Sequence, residues 1–213
     1  MTNCAGGSTP WGTWLTCEEN IAQKKNNKIS HGYVFEVDPK KDFLQKPIPL
    51  KQLGRFKHEA VAFDKYGCAY LTEDRSDGLL YKFIPKNKNS LDEGSLYALK
   101  ISEKDSRNWK NRDILLNQKF SVEWIRLEDI DPESDTLRVE GIEKGATIFA
   151  RGEGLAQDNK SIFKPFFVPS ESIDVINISS LYKQTGLFTY DPGFTSTAAC
   201  NSSDVGIATR QPS

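Results

Sequence analysis

The sequence predicts an all-β fold of the β-propeller kind, and three observations predict it. Short alternating runs rich in β-branched and aromatic residues fill the first half of the 213-residue chain. Tight turn signals separate those runs. A phrase in which a strand ends in paired acids, followed by a second strand ending in proline, occurs twice.

The elements follow in chain order. Asn3-Cys4-Ala5-Gly6-Gly7 reads as a glycine-braced loop that carries a thiol, and Trp14-Leu15-Thr16-Cys17-Glu18-Glu19 reads as a strand ending in carboxylates. His31–Val37 is an alternating strand stopped by Asp38-Pro39. Ala60–Phe63 and Ala69–Thr72 flank the turn Asp64-Lys65-Tyr66-Gly67, and Leu79–Ile84 follows the turn Ser76-Asp77-Gly78.

Laid side by side, Trp14–Glu19 leading to Gly32–Pro39 matches Tyr70–Asp74 leading to Gly78–Pro85. His58-Glu59-Ala60-Val61-Ala62-Phe63-Asp64 is echoed by Gly152-Glu153-Gly154-Leu155-Ala156-Gln157-Asp158. Such units are propeller blades, whose inner strands gather their ends around a central channel. Two blades and the start of a third can be read, whereas about four to eight are needed for closure. The chain therefore reads as a fragment, incomplete at both ends.

Residues 86–145 form a charged insertion with Leu96, Leu99, Ile101, Val122, Trp124, Ile125 and Leu127 as apolar points. Neither helical nor strand period is sustained there, so one or two short helices or an irregular cap are expected. The propeller domain is expected to span residues 1–163. Residues 164–213, with their Ser/Thr-rich run from Thr195, are expected to form a divergent tail that leaves the blade begun at Glu153 unfinished.

Lys and Arg number 28 against 29 Asp and Glu, for a net charge of −1. That balance gives no field to draw nucleic acid, and no run approaches the roughly 20 apolar residues of a membrane span. Small molecules or ions are the expected partners of a monomer. Cys4, Cys17, Cys68 and Cys200 contain no C-x-x-C pair, so neither a disulfide framework nor a structural zinc is signalled. No charged segment followed by an apolar one marks an export signal at the N-terminus.

The candidate chemistry lies in Cys4 with Glu18, Glu19, Glu59, Glu73, Asp74 and Glu153, all at strand or loop ends. Oxygen ligands suit calcium, magnesium or ferric iron, and a thiolate among them favours a softer or redox-active metal such as iron. Surface acids are common without a metal, but matching positions in a repeat set these apart. Arg151 and Glu153 are two residues apart, so on an extended segment they point the same way and place a guanidinium beside a metal carboxylate. Its alternative is a surface ion pair.

His58, next to Glu59, can orient a carboxylate or sit satisfied by backbone, while His31 lacks an acidic neighbour in sequence and is expected to be structural. Trp11 and Trp14 can wall a pocket or fill a core. Gly6, Gly7 and Gly12 lack the Lys-Ser/Thr of a phosphate-binding loop, and the triplets at Asn177 and Asn201 are weak glycosylation patterns.

Asn3-Cys4-Ala5-Gly6-Gly7-x-Thr9-Pro10-Trp11-Gly12-Thr13-Trp14, then Glu18-Glu19, Lys57-His58-Glu59-Ala60, Thr72-Glu73-Asp74-Arg75 and Arg151-x-Glu153-Gly154, resemble the PhoX-type alkaline phosphatases, also known as a bacterial domain of unknown function. The resemblance covers roughly residues 1 to 163. It implies a six-bladed propeller with an iron and calcium cluster on its axis that hydrolyses phosphate monoesters. By matching motifs, Cys4 would ligate iron, Glu59 and Glu153 would ligate or bridge iron, Glu18, Glu19, Glu73 and Asp74 would supply the calcium side, and Arg151 would hold the substrate phosphate. The catalytic set would be Arg151, Glu153 and Glu59, with no protein nucleophile required. A periplasmic or secreted setting is also implied. The competing readings are a calcium-binding propeller lactonase, which has no evident use for Cys4, and a non-catalytic propeller remnant.

Overall fold

The computed structural model describes residues 3–21, 29–101, 119–157, 163–167, 174–177 and 186–190. Strands β1 (Asn3–Ser8), β2 (Trp14–Glu18) and β3 (Val34–Val37) form one antiparallel stretch. A second stretch is the meander β4 (His58–Phe63), β5 (Ala69–Glu73), β6 (Leu80–Pro85), β7 (Gly94–Lys100) and β8 (Lys119–Arg126). Strands β9 (Gly152–Gln157), β10 (Phe163–Phe167), β11 (Asp174–Asn177) and β12 (Gly186–Tyr190) follow, with β12 pairing back onto β8. Together they give the order β3-β2-β1-β4-β5-β6-β7-β8-β12-β11-β10-β9. A parallel contact, Gly6 against Ala60, joins the first stretch to the second.

Local chemistry explains the joints. Between β4 and β5, Asp64 Oδ1 accepts from the amides of Tyr66 and Cys68 at 2.9 Å each, and Gly67 takes φ of 87°. At β1, a Cβ on Gly7 would sit 1.9 Å from the Val61 carbonyl oxygen, and one on Gly6 would sit 2.0 Å from that of Leu15. Only glycine lets the three strands approach so closely. The Cys-Gly run, expected as a loop, is thus a strand with an irregularity between Cys4 and Gly7.

The insertion holds a short helix, as expected, and also strands that were not expected. Among the described residues, its strands are β7 and β8 and its helix is the short α1 (Leu137–Glu143). Leu96 and Ala98 pack into one hydrophobic cluster while Leu99 and Val122 pack into another. A sheet buried on both faces has no polar alternation, which is why its strands carry no period-two signature. Beyond Phe163, where an unfinished blade was expected, β10, β11 and β12 continue the sheet from β9. The tail from 191 lies outside the described residues.

The same two-sided burial builds the core. Val61, Phe63, Leu71, Tyr81 and Phe83 face Leu15, Cys17 and Val34 of the first stretch, whereas Ala62, Tyr70 and Leu80 face Phe149 and Leu155. Trp11 packs on the first cluster, edge-on to Phe63 with centroids 5.4 Å apart, and donates to Glu36 Oε1 at 2.7 Å. Among the described residues no helix is long and apolar enough to cross a membrane.

Candidate metal centre

Parallel pairing of β1 with β4 sets their first residues at one end of the sheet. The antiparallel partners β2 and β5 bring their last residues to the same end. Strand β9 packs against β4 and β5 and adds its own beginning. Cys4, Glu19 and Glu59 meet there, each offering a ligand atom within 4.8 Å of the others. Cys4 Sγ lies 2.8 Å from Glu59 Oε1; although the cysteine spacing signalled no disulfide framework, this sulfur is disulfide-bonded, so it would offer a metal ligand only once reduced to the thiolate.

Further charges surround the trio. Lys57 Nζ pairs with Glu19 Oε1 at 3.0 Å and with Asp74 Oδ2 at 2.7 Å. Arg151 pairs with Asp74 and reaches Glu153 Oε1 at 3.8 Å. Thr72 fastens the neighbouring backbones: its hydroxyl donates to the Glu153 carbonyl at 2.6 Å and accepts from the Ala60 amide at 3.2 Å. Arg151 itself has φ of 59°, and its amide donates to the Arg75 carbonyl at 2.7 Å, so a strained backbone is held where the side chain enters the site.

The electrostatics ask for a cation. Burial pushes the Glu59 carboxyl up to about 9, and Glu153, Glu19 and Asp74 push the same way against Lys57. Burial also raises Glu153, to about 7, with Asp74 and Glu19 adding to it and Arg151 and Lys57 opposing. Four carboxyl groups thus face two side-chain cations, and a sulfur stands among them. That donor set, oxygen-rich and short of positive charge, suits a metal cation, and reduction of Cys4 would add a thiolate to it.

The remaining predicted ligands are engaged elsewhere. Glu18, 1% exposed, accepts from the amides of Gly32 and Tyr33 at 2.8 and 3.1 Å and pairs with His31 Nδ1 at 2.8 Å. His31, read as lacking an acidic neighbour, therefore has one across the strand end; sequence distance hid it. Glu73 is fully buried and accepts from the Leu79 amide at 3.1 Å and the Tyr81 hydroxyl at 2.7 Å.

His58 takes the backbone option. It is fully buried, stacked on Phe56 at 3.6 Å, with Nε2 against the Gly54 carbonyl at 3.1 Å, and burial lowers its pKa to about 3. Lys57 and Thr72 stand at the site but were not read as site residues from the sequence. Both stand inside the acid phrases, and their position beside Glu59 and Asp74 was the available signal.

Pseudomonas fluorescens PhoX, in a structure with vanadate described as a transition state analogue, is similar at a TM-score of 0.65 and 21% identity. The similarity covers 88% of this chain and 46% of that one, so the chain spans about half the length of this relative. The likeness establishes a β-propeller-like fold. A family model for alkaline phosphatase PhoX matches residues 1–198, past the point near Phe163 where the motif resemblance stops. The chain belongs to the PhoX alkaline phosphatase family.

Proposed function

We propose that this chain hydrolyses phosphate monoesters at a metal centre held by Cys4, Glu19 and Glu59, with Asp74 and Glu153 completing it. The convergence of those three ligand atoms within 4.8 Å carries the reading. The vanadate complex of the P. fluorescens relative supports it, because vanadate mimics a phosphoryl group in transit. Cys4, in its thiolate form, together with Glu59 and Glu19 would hold iron. Asp74 and Glu153, oxygen donors only, would extend the site toward calcium.

When bound, the ions would supply Lewis-acid neutralisation of the phosphoryl oxygens. The chain's own contribution is position and charge. Arg151 brings a planar fork that matches two phosphate oxygens, and Asp74 and Glu153 hold that fork at the site's edge. Substrate would exchange those carboxylates for phosphate as the fork's partner. Lys57 keeps Glu19 and Asp74 from repelling each other.

Elemental analysis for iron and calcium, on the chain purified under reducing conditions, tests the reading when combined with hydrolysis of p-nitrophenyl phosphate. Iron with turnover is expected, and Glu59→Gln should remove both. A preparation with neither metal nor turnover would overturn it.

A further inference from the structure

Four strand ends deliver residues to the centre in consecutive pairs: Glu18-Glu19, His58-Glu59, Glu73-Asp74 and Gly152-Glu153. Successive side chains on a strand point to opposite sides. In each of the first three pairs the second residue belongs to the charge cluster around the centre, as Glu19, Glu59 and Asp74. Glu59 and Asp74 are buried as their predecessors are, but the first residue of each pair, Glu18, His58 or Glu73, is instead bonded to nearby backbone. His58 and Glu73 are moreover cross-strand partners, so two of these buried residues lie side by side.

We infer that Glu18 is a positioning residue and not a metal ligand: by holding the Gly32 and Tyr33 amides and His31, it fixes the end of β2 so that Glu19 projects into the centre. Glu73, through Leu79 and Tyr81, does the same for Asp74. This inference rests on the metal reading above. Glu18 Oε2 accepts both amides and Oε1 meets His31. Its oxygens thus have partners that a metal ion would have to displace. Tyr33, one of the residues held, is itself tied to Asp131 at 2.7 Å, and Arg55 anchors the His31 carbonyl at 2.9 Å. The clamp therefore rests on the wall of the domain.

Positioning and ligation make opposite demands on Glu18. A ligand needs its negative charge, whereas a clamp needs an acceptor oxygen, which glutamine retains. Anaerobic Fe2+ titration of the metal-stripped chain, with hydrogen exchange of peptides covering residues 14–21 and 31–35, separates the two. Glu18→Ala should weaken Fe2+ binding by about 10- to 100-fold, the usual effect of removing a ligand's support, and speed exchange in both peptides. Glu18→Gln should restore both, while Glu19→Gln should lose Fe2+ binding with exchange unchanged. Loss of Fe2+ binding by Glu18→Gln to the level of Glu19→Gln would overturn the inference. So would a Glu18→Ala chain that exchanges faster yet binds Fe2+ as the wild type does. If the wild type binds no Fe2+, the metal reading fails and exchange in residues 14–21 alone decides: acceleration by Glu18→Ala but not Glu18→Gln supports the clamp, and no change overturns it.

Discussion

The hairpins β2–β3 and β5–β6 are built from one phrase, yet they live in different places. The first lies at the rim of the sheet, where the outer flank of β3 gains one bridge, Phe35 to Pro49. The second lies inside, with β4 on one side and β7 on the other. Their inward acids differ accordingly. Glu18 follows into residues 19–33, a stretch long enough to return two amides and a histidine to the carboxylate. Glu73 is followed by the tighter turn 74–79, which returns one amide, with Tyr81 adding its hydroxyl. Glu73 Oε1 is left buried without a hydrogen bond among the described residues, and burial pushes the carboxyl up to about 7. The chain after a strand, more than the strand, decides how well its terminal acid is satisfied.

Substitutions at matched positions should widen this contrast. Phe83 in β6 is fully buried, while its counterpart in the repeat, Val37 in β3, is 37% exposed. Phe83→Ala should cost about 3–5 kcal/mol in urea unfolding, and Val37→Ala under about 1 kcal/mol. Equal costs would mean that the rim hairpin is covered as the inner one is.

The inward acids give a smaller difference. Glu18→Ala strands two buried amides and should destabilise by about 2–4 kcal/mol, whereas Glu73→Gln keeps the acceptor and removes a poorly satisfied charge, for a change within about 1 kcal/mol. Thermal melts of the two variants beside the wild type would show it. A Glu73→Gln chain as damaged as Glu18→Ala would mean that the Glu73 charge is structurally needed.

Lys57 ties the two hairpins together through Glu19 and Asp74. Lys57→Gln should lower the stability of the metal-stripped chain by about 1–2 kcal/mol, and added calcium should shrink that loss. Calcium-independent destabilisation would place the lysine's role in packing.

Much of the fold could be read from sequence because the first hairpins carry their turn residues with them. Asp64 and Gly67 between β4 and β5 announce a turn that local chemistry alone closes. Strands β7 and β8 carried no such mark, since Leu96, Ala98 and Leu99 are buried on both faces. The paired acids were visible, but their division of labour was not. Whether Glu18 or Glu19 faces the centre depends on the phase of the strand relative to the sheet's end, and no local pattern encodes that phase. The pairing of Glu18 with His31 depends on where a long loop returns, which the sequence leaves open. His31–Val37 was expected as one strand; it begins only at Val34, because Gly32 turns with φ of 101° and Glu18 takes the amides of Gly32 and Tyr33.

Gly6 and Gly7 each face a carbonyl oxygen so near that any β-carbon would fall inside it. Every single-base change at a glycine codon that alters the residue adds a side chain, so these two letters have no neighbouring spelling that folds. The Cys-Gly run is therefore the stretch of β1 that admits no side chain at these two positions without moving a neighbouring strand.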